Sequence, residues 1–312
     1  MHASGLPELW IHVQVHDADL KLLRIFETII RCGGFSAAQS SLNLSSSRIS
    51  EYMTQLETRI GVRLCDRGRA GFRLTEDGAR LHEAAQRLLG AVDTFHLESA
   101  ALRKRLSGVL RLGVIEATLS DQESPLMAAI RAFMQTAPEV ELQILMDGPA
   151  GLEQRVLDGS LHLALGPFPE RVLSLQHENL YREEQFLYCA SPHPLHSSVP
   201  GPHQDRLIRD ARLIVRSYMG AQELSLLRIA GPATTVDNVE GRAMLILSGN
   251  CIGFLPAHYA RPWEESGLLK QINPKQIRTY LDFKIIWRKA PLPARAVQRF
   301  IEHLMSVRPK AA

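Results

Sequence analysis

The sequence predicts a multidomain chain: an all-α helix-turn-helix head carrying a small wing, a long linker helix, and a two-lobed α/β clamp. Three observations predict it. Apolar residues recur at helical spacing from Leu20 to Ile60, a proline-free stretch from Thr75 to Leu106 carries a seven-residue repeat, and from Val109 onward strand-like and helix-like runs alternate.

The bulk properties narrow the class. At 312 residues the chain is long enough for about two or three domains. Apolar residues make up 45%, which excludes wholesale disorder. The net charge of +3 is too small to argue for nucleic acid by itself, so any such case rests on where the charges lie. No apolar run reaches the roughly 18–20 residues that span a bilayer, so no membrane partner is expected. Met1 to His16 lacks the basic and apolar blocks of a leader peptide, and 1–16 is set aside as an N-terminal extension. The four cysteines form no C-x-x-C pair. The expectation is a cytoplasmic protein.

In the head (17–75), Leu20, Leu23, Ile25, Phe26, Ile29 and Ile30 form one helical stripe that stops at Gly33-Gly34. Phe35 to Leu42 reads as a short second helix and Asn43-Leu44 as a tight turn. Ser45 suits the N-cap of a third helix carrying Ile49, Met53, Leu56 and Ile60, which Gly61 ends. Val62–Leu64 and Gly71–Leu74 are expected to pair as a hairpin around a basic tip, Asp66 to Ala70.

Thr75-Glu76-Asp77 opens the linker helix (76–107), its threonine as cap and its acids at the positive end of the helix dipole. Leu81, Leu88, Phe95 and Leu102 repeat in sevens, with Ala85, Val92, Ser99 and Leu106 as the companion set. A helix of this length, roughly 45 Å, is too long for one small domain to cover, so its seam predicts a homodimer through Leu81, Leu88, Val92, Phe95 and Leu102.

Past Ser107-Gly108 the α/β clamp begins (108–312). Strands are expected at Val109–Val114, Glu141–Met146 and Leu161–Leu165, with helices at Pro125–Thr136 and Leu152–Leu157 between them. A second cycle comprises Phe186–Ala190, Arg212–Arg216, Thr234–Val236, the helix Val239–Leu247 and Ile252–Leu255, before a late strand Phe283–Arg288 and a closing helix Arg295–Val307. The alternation predicts right-handed βαβ units on mostly parallel sheet.

The head's proportions are those of a helix-turn-helix, whose second helix offers Ser46, Ser47, Arg48, Ser50, Glu51 and Thr54 on its outer face. Short hydroxyls and an arginine suit base edges and phosphates in a major groove, and Arg67, Arg69 and Arg73 at the wing suit the flanking phosphates. An ordinary helical subdomain with a solvated charged face is the bland alternative.

The run Phe35-Ser36-Ala37-Ala38, Leu42, Ser50, Leu56-Glu57, Gly61-Val62-Arg63-Leu64, Arg67, Leu74-Thr75-Glu76-Asp77-Gly78 resembles the LysR-type transcriptional regulators. The resemblance implies a winged helix-turn-helix with Ser36 among its DNA contacts, a dimerising helix, and an effector domain similar to type 2 periplasmic binding proteins. It also implies double-stranded promoter DNA and a small-molecule effector as partners, homotetramers built as dimers of dimers, and RNA polymerase as a further candidate partner. Chain crossings near Gly166-Pro167 and Ile272-Asn273-Pro274 would make lobe I 108–166 plus 273–312, and lobe II 167–272. Cys65, Arg48 and Glu51 depart from the family pattern, which has a phenylalanine, a small residue and a basic or polar residue at those places.

In open α/β sheets, ligands bind beyond the carboxyl ends of strands, beside helix N-termini. That singles out Glu116, Ala117 and Thr118 after the first clamp strand, and Asp237 and Asn238 before the helix at Val239. The resemblance places ligand-binding loops there too, and adds Ser217, Tyr218 and Phe168. Helix amides alone favour an anion, but Glu116 and Asp237 argue for a cationic or zwitterionic ligand unless they only cap a helix and face solvent.

No enzyme, cofactor or metal is expected. Asp121 with Glu123, and Glu183 with Glu184, read as solvent-face charges, and His193, His196 and His203 as members of a proline-rich loop. Cys189 and Cys251 sit in apolar strand patterns as small hydrophobes. The alternative to a regulator is a solute-binding protein or an enzyme on the same clamp.

Overall fold

A computed structural model of the chain describes residues 17–68, 71–102, 106–229, 233–290 and 292–309. Its elements fall into two compact units divided between Val92 and Asp93, inside the long helix.

In the first unit, α1 (Asp17–Arg31) buries Leu22, Leu23, Ile25, Phe26 and Ile29 on one face. The second helix is shorter than its sequence suggests. α2 spans Ala38–Leu42, because Phe35 to Ala37 are used in the turn that Gly33 and Gly34 open with positive φ. Asn43, at φ +51°, supplies the tight turn. α3 (Ser46–Ile60) has the expected ends: the Ser45 hydroxyl accepts from the Arg48 amide at 3.3 Å, and Gly61 ends the helix at φ +82°. Ile49, Met53 and Leu56 form its buried face.

The second wing strand lies where predicted, but the first begins three residues later than expected. β1 (Cys65–Gly68) pairs antiparallel with β2 (Gly71–Leu74), so Asp66 and Arg67 are strand residues rather than tip. Leu64, expected in the strand, is held by other partners: its amide donates to Glu57 Oε1 at 2.8 Å and its carbonyl accepts from the Thr75 amide at 3.0 Å. α4 (Glu76–Leu102) starts where Thr75 Oγ1 accepts from the Gly78 amide at 2.9 Å. Gly78 passes so close to the Leu64 carbonyl that a Cβ there would lie 1.9 Å from the oxygen. The L-E, G-x-x-L and T-x-x-G fragments of the sequence therefore form one hydrogen-bonded junction under the wing. Cys65 is buried there, 1% exposed.

α4 ends before the predicted Leu106, which lies in coil, while 103–105 are outside the described residues. Of the expected seam, Ala85 is instead a core residue of the head, beside Leu89, with Leu81 and Leu88 half-buried against the same core. Val92 is half-buried and Phe95 is 65% exposed. The side chain of Leu102 is outside the described residues.

In the second unit, β3 (Ser107–Val114), α5 (Leu126–Thr136), β4 (Glu139–Met146), α6 (Pro149–Asp158) and β5 (Leu163–Pro167) lead to a long strand, β6 (Leu175–Ala190). Then come α7 (Pro194–Ser197), α8 (Pro202–Asp210), β7 (Leu213–Val215), α9 (Gly220–Leu227), β8 (Ala233–Thr235), α10 (Val239–Leu247), β9 (Ile252–Pro256), α11 (Ala257–Glu265), β10 (Leu269–Gln271), β11 (Arg278–Arg288) and α12 (Arg295–Ser306). Among the described residues nine strands form one sheet in the order β4-β3-β5-β11-β6-β9-β7-β8, with β10 on β6.

The sheet is mixed rather than mostly parallel. Two parallel trios, β4-β3-β5 and β9-β7-β8, are joined by β11 and β6, which pair antiparallel with each other from Arg278↔Phe186 to Arg288↔Leu175. The first trio packs under α5 and α12 around Phe133, Phe300, Leu112 and Ile285, all 0% exposed. The second packs around Leu187, Ile252, Phe254 and Ile246. The proline-rich stretch is not simple loop: it carries α7, and His193 Nδ1 accepts from the Leu195 amide as its cap. Among the described residues, no helix is long and apolar enough to cross a membrane.

Candidate functional site

α3 turns its polar face outward because its apolar residues are spent on the head core. Ser47, Arg48, Glu51 and Thr54 are exposed, Ser46 and Ser50 half-buried. Ser36 is exposed at the turn before α2, and Arg73 is exposed on β2. Arg69 lies outside the described residues, as does the side chain of Arg67. The departures at Arg48 and Glu51 turn out to be a pair: Arg48 Nη1 donates to Glu51 Oε2 at 2.7 Å, and the guanidinium lies 4.9 Å from the centre of the Tyr52 ring. Lys21 Nζ reaches the Tyr52 hydroxyl at 3.2 Å, and these two cations lower the phenol's pKa. Glu51 therefore does not present an isolated negative charge to a phosphate. It orients the arginine beside it.

The second candidate site lies in the clamp, where the ends of β3 and β5 meet the loops before α9 and α10. A crevice of about 300 Å3, counting its open mouth, is lined by Glu116, Ala117, Tyr218 and Asp237 among the predicted residues. Glu183, Arg216, Arg242, Leu281 and Phe283 are among its other lining residues, and sequence reading missed all five. Thr118 is buried, its hydroxyl tying back to the Ile115 carbonyl at 2.7 Å to shape the turn, in which Ala117 takes φ +61°. Phe168, 1% exposed, belongs to the apolar core behind β5 and does not line the crevice.

The two acids do not take the roles of helix cap and solvent-facing charge. Asn238, not Asp237, caps α10, accepting from the Gly241 amide. Asp237 accepts from the Ser217 amide at 2.7 Å and so ties the two loops together. Glu116 reaches across to α10 and accepts from the Val239 amide. Burial raises its pKa, a shift the Val239 hydrogen bond and the Arg242 charge partly oppose. The chain's own carboxylate thus occupies the helix N-terminus that would attract an anionic ligand.

Two buried arginines supply the opposite charge. Arg216, 1% exposed, is held by Glu223, with Nε donating to Oε1 at 2.9 Å, and by Gln185 Oε1 at 3.3 Å. Arg242 donates to the Phe254 carbonyl at 3.1 Å, while its Nε makes no hydrogen bond. Burial and the neighbouring Arg216 pull its pKa down to about 10, so it stays charged at neutral pH.

Glu183 is likewise no solvent-face charge. It is 5% exposed, and it meets Asp121, 8% exposed, around the imidazole of His258. Cys189 is buried in β6 with its thiol pKa pushed up to about 11, and burial raises that of Cys251.

The model for the LysR substrate binding domain matches residues 103–308, and that for the bacterial regulatory helix-turn-helix protein of the lysR family matches 20–79. This chain belongs to the LysR family. It is a LysR-type transcriptional regulator, with a DNA-binding helix-turn-helix and an effector-binding domain. It is 38% identical over 290 residues to the HTH-type transcriptional activator BauR of Pseudomonas aeruginosa, covering 93% of this chain and 95% of that one. It is 25% identical over 252 residues to the regulator PunR of Escherichia coli, covering 78% and 79%. Among solved structures, the full-length regulator CbnR complexed with its target DNA has the same fold, with a TM-score of 0.64 at 20% identity over 92% of this chain and 99% of that one. A full-length OxyR variant from Pseudomonas aeruginosa gives 0.56 at 19% identity over 96% and 100%. These matches point to a regulator, and the solute-binding and enzyme alternatives are not favoured.

Proposed function

We propose that this LysR-type regulator binds promoter DNA as a homo-oligomer, with α3 in the major groove and the β1–β2 wing on the flanking phosphates, and that a small zwitterion held in the clamp crevice controls it. Residues 17–75 act as the reading head, 76–107 as the dimerising linker, and 108–312 as the sensor, with 1–16 as an extension. Lobe I of the sensor is 108–166 plus 273–312, and lobe II is 167–272. The proposal extends to a dimer of dimers, contact with RNA polymerase and a cytoplasmic location.

The observation that carries the effector reading is the charge layout of the crevice. Arg242 is buried, charged and short of one partner, while Glu116 and Asp237 stand on the loops around it. A ligand carboxylate pairs with Arg242 and its ammonium group meets Glu116 or Asp237, each a charge-assisted contact in a partly desolvated site. A purely anionic ligand would have to displace Glu116 from α10 and face both carboxylates. Thermal-shift screening of the full chain against matched amines, carboxylic acids and amino acids tests this. Amino acids are expected to stabilise the protein, with the response lost in Glu116→Gln; uniformly anionic hits unaffected by Glu116→Gln or Asp237→Asn would overturn the reading.

A further inference from the structure

Three ionisable side chains far apart in sequence converge beside the crevice. Asp121 comes from the segment between β3 and α5, Glu183 from the crossing strand β6, and His258 from the first turn of α11. His258 Nε2 stands 2.9 Å from Glu183 Oε1 and 3.6 Å from Asp121 Oδ2, and all three atoms lie within 4.8 Å of one another.

Each side chain is pinned by its other polar atom. Asp121 Oδ1 accepts from the Glu123 amide at 3.0 Å. Glu183 Oε2 accepts from the Gln185 side-chain amide. His258 Nδ1 contacts Ser120 Oγ at 2.9 Å, and that hydroxyl gives its one proton to the Ala117 carbonyl at 3.0 Å, so Nδ1 is the donor. The neutral ring therefore turns the Nε2 lone pair toward two carboxylate oxygens. Three electron-pair donors facing one point, in a site shielded from water, call for a cation between them.

A proton on Nε2 answers only part of that demand. It satisfies Glu183 at 2.9 Å and leaves Asp121 Oδ2, which is buried and makes no hydrogen bond, at 3.6 Å, within ion-pair reach only. The buried hydroxyl of Tyr181 lies beside Asp121 and Ser124, and the phenol's pKa is raised by burial and by the charges of Asp121 and Glu183. A divalent ion balances both carboxylates, and one imidazole with two carboxylates is a donor set suited to zinc, manganese or ferrous iron. The Ser120–His258, Gln185–Glu183 and Glu123–Asp121 contacts are of the kind that orient metal ligands.

We propose that Asp121, Glu183 and His258 form a binding site for a divalent transition-metal ion, which ties the β3–α5 segment to α11 through the crossing strand. Glu183 also lines the crevice, so ion binding reaches the effector site through a shared side chain.

The test uses the full chain stripped with chelator, titrated calorimetrically with zinc chloride and assayed for bound metal after gel filtration. One zinc ion per chain is expected, with a rise in Tm. Asp121→Asn and His258→Gln should each weaken zinc at least tenfold while keeping the far-UV circular dichroism and DNA binding of the parent, and His203→Gln, an exposed control, should not. Cobalt substitution should give ligand-field bands in the parent and not in Asp121→Asn. Failure of the parent to retain zinc, or equal retention by the cluster variants, would overturn the proposal. Neither result depends on the identity of the effector.

Discussion

Glu116, two residues beyond the end of β3, accepts a hydrogen bond from the amide of Val239, the first residue of α10. A side chain of one parallel trio thereby closes on a helix of the other, at a point where half-burial penalises its charge.

Because its folded-state pKa is raised, the ionised carboxylate costs the clamp stability. That cost is absent below the ordinary carboxylate value of about 4 and grows as pH climbs through the raised value. Glu116→Gln keeps an oxygen for the Val239 amide and removes the charge. The clamp of the variant should lose this rising-pH penalty, so that the Tm difference between variant and parent widens from about pH 4 upward. Calorimetric melts across that range check it; parallel Tm curves would contradict the assignment.

His162 works in the opposite direction. It is 9% exposed, its Nδ1 accepts from the Arg111 amide at 2.9 Å, and burial with the charges of Arg111 and Arg288 lowers its pKa to about 4. A base with a depressed pKa must be neutral to fold. Its contribution is complete above the unfolded value of about 6.5 and is lost as pH falls from there to about 4, amounting to roughly 3 kcal/mol at the limit. His162→Gln should lower Tm at neutral pH and flatten its fall on acidification, as followed by differential scanning fluorimetry.

Arg48 and Arg73 should separate on DNA. Arg48 stands on the outer face of α3, and its loss should reduce preference for the cognate operator by about 1–3 kcal/mol. Arg73→Ala on the wing should weaken cognate and scrambled duplexes alike and make binding less salt-dependent. Fluorescence anisotropy on both duplexes decides, and equal losses for Arg48→Ala would remove it from base readout. Glu51→Ala, which frees the guanidinium, should broaden the range of sequences bound.

Phe95 offers the cleaner test of the linker seam. Leu88 is half-buried against the head core, so a charge there would also disturb the head, whereas Phe95 is 65% exposed within the single chain. Phe95→Asp should leave the melting of the protomer unchanged and shift the species seen by multi-angle light scattering from dimer to monomer, with DNA affinity falling as the paired half-sites uncouple.

The sequence was most legible where a local rule had nothing to compete with. α3 and α10 begin and end as expected because Ser45, Gly61 and Asn238 cap them with their own side chain or backbone freedom. β6 was read only over its last five residues: Glu178, Arg182, Glu183 and Glu184 break the apolar pattern in the half of the strand that pairs with β11, although Leu175, Leu180 and Tyr181 of that half are buried. α11 was hidden by Pro262, which its short helix carries inside, and α8 by having few apolar residues to reveal a period. The crevice loops were located from strand ends, but the charges that set its character were not. Arg216, Arg242 and the Asp121–Glu183–His258 group are brought together by folding across more than a hundred residues, and nothing in their neighbours announces it.

The antiparallel pairing of β6 with β11 also sets when, during synthesis, the clamp can fold. The head closes on contacts drawn from the first ninety or so residues, and those leave the ribosome early. The clamp has no such independence: β5 and β6 keep bare edges until Arg278–Arg288 has been synthesised, and α12 after it supplies Phe300 to the first trio's core. During translation a finished DNA-reading head therefore precedes its sensor by some two hundred codons, and a chain interrupted before residue 278 carries the former without the latter.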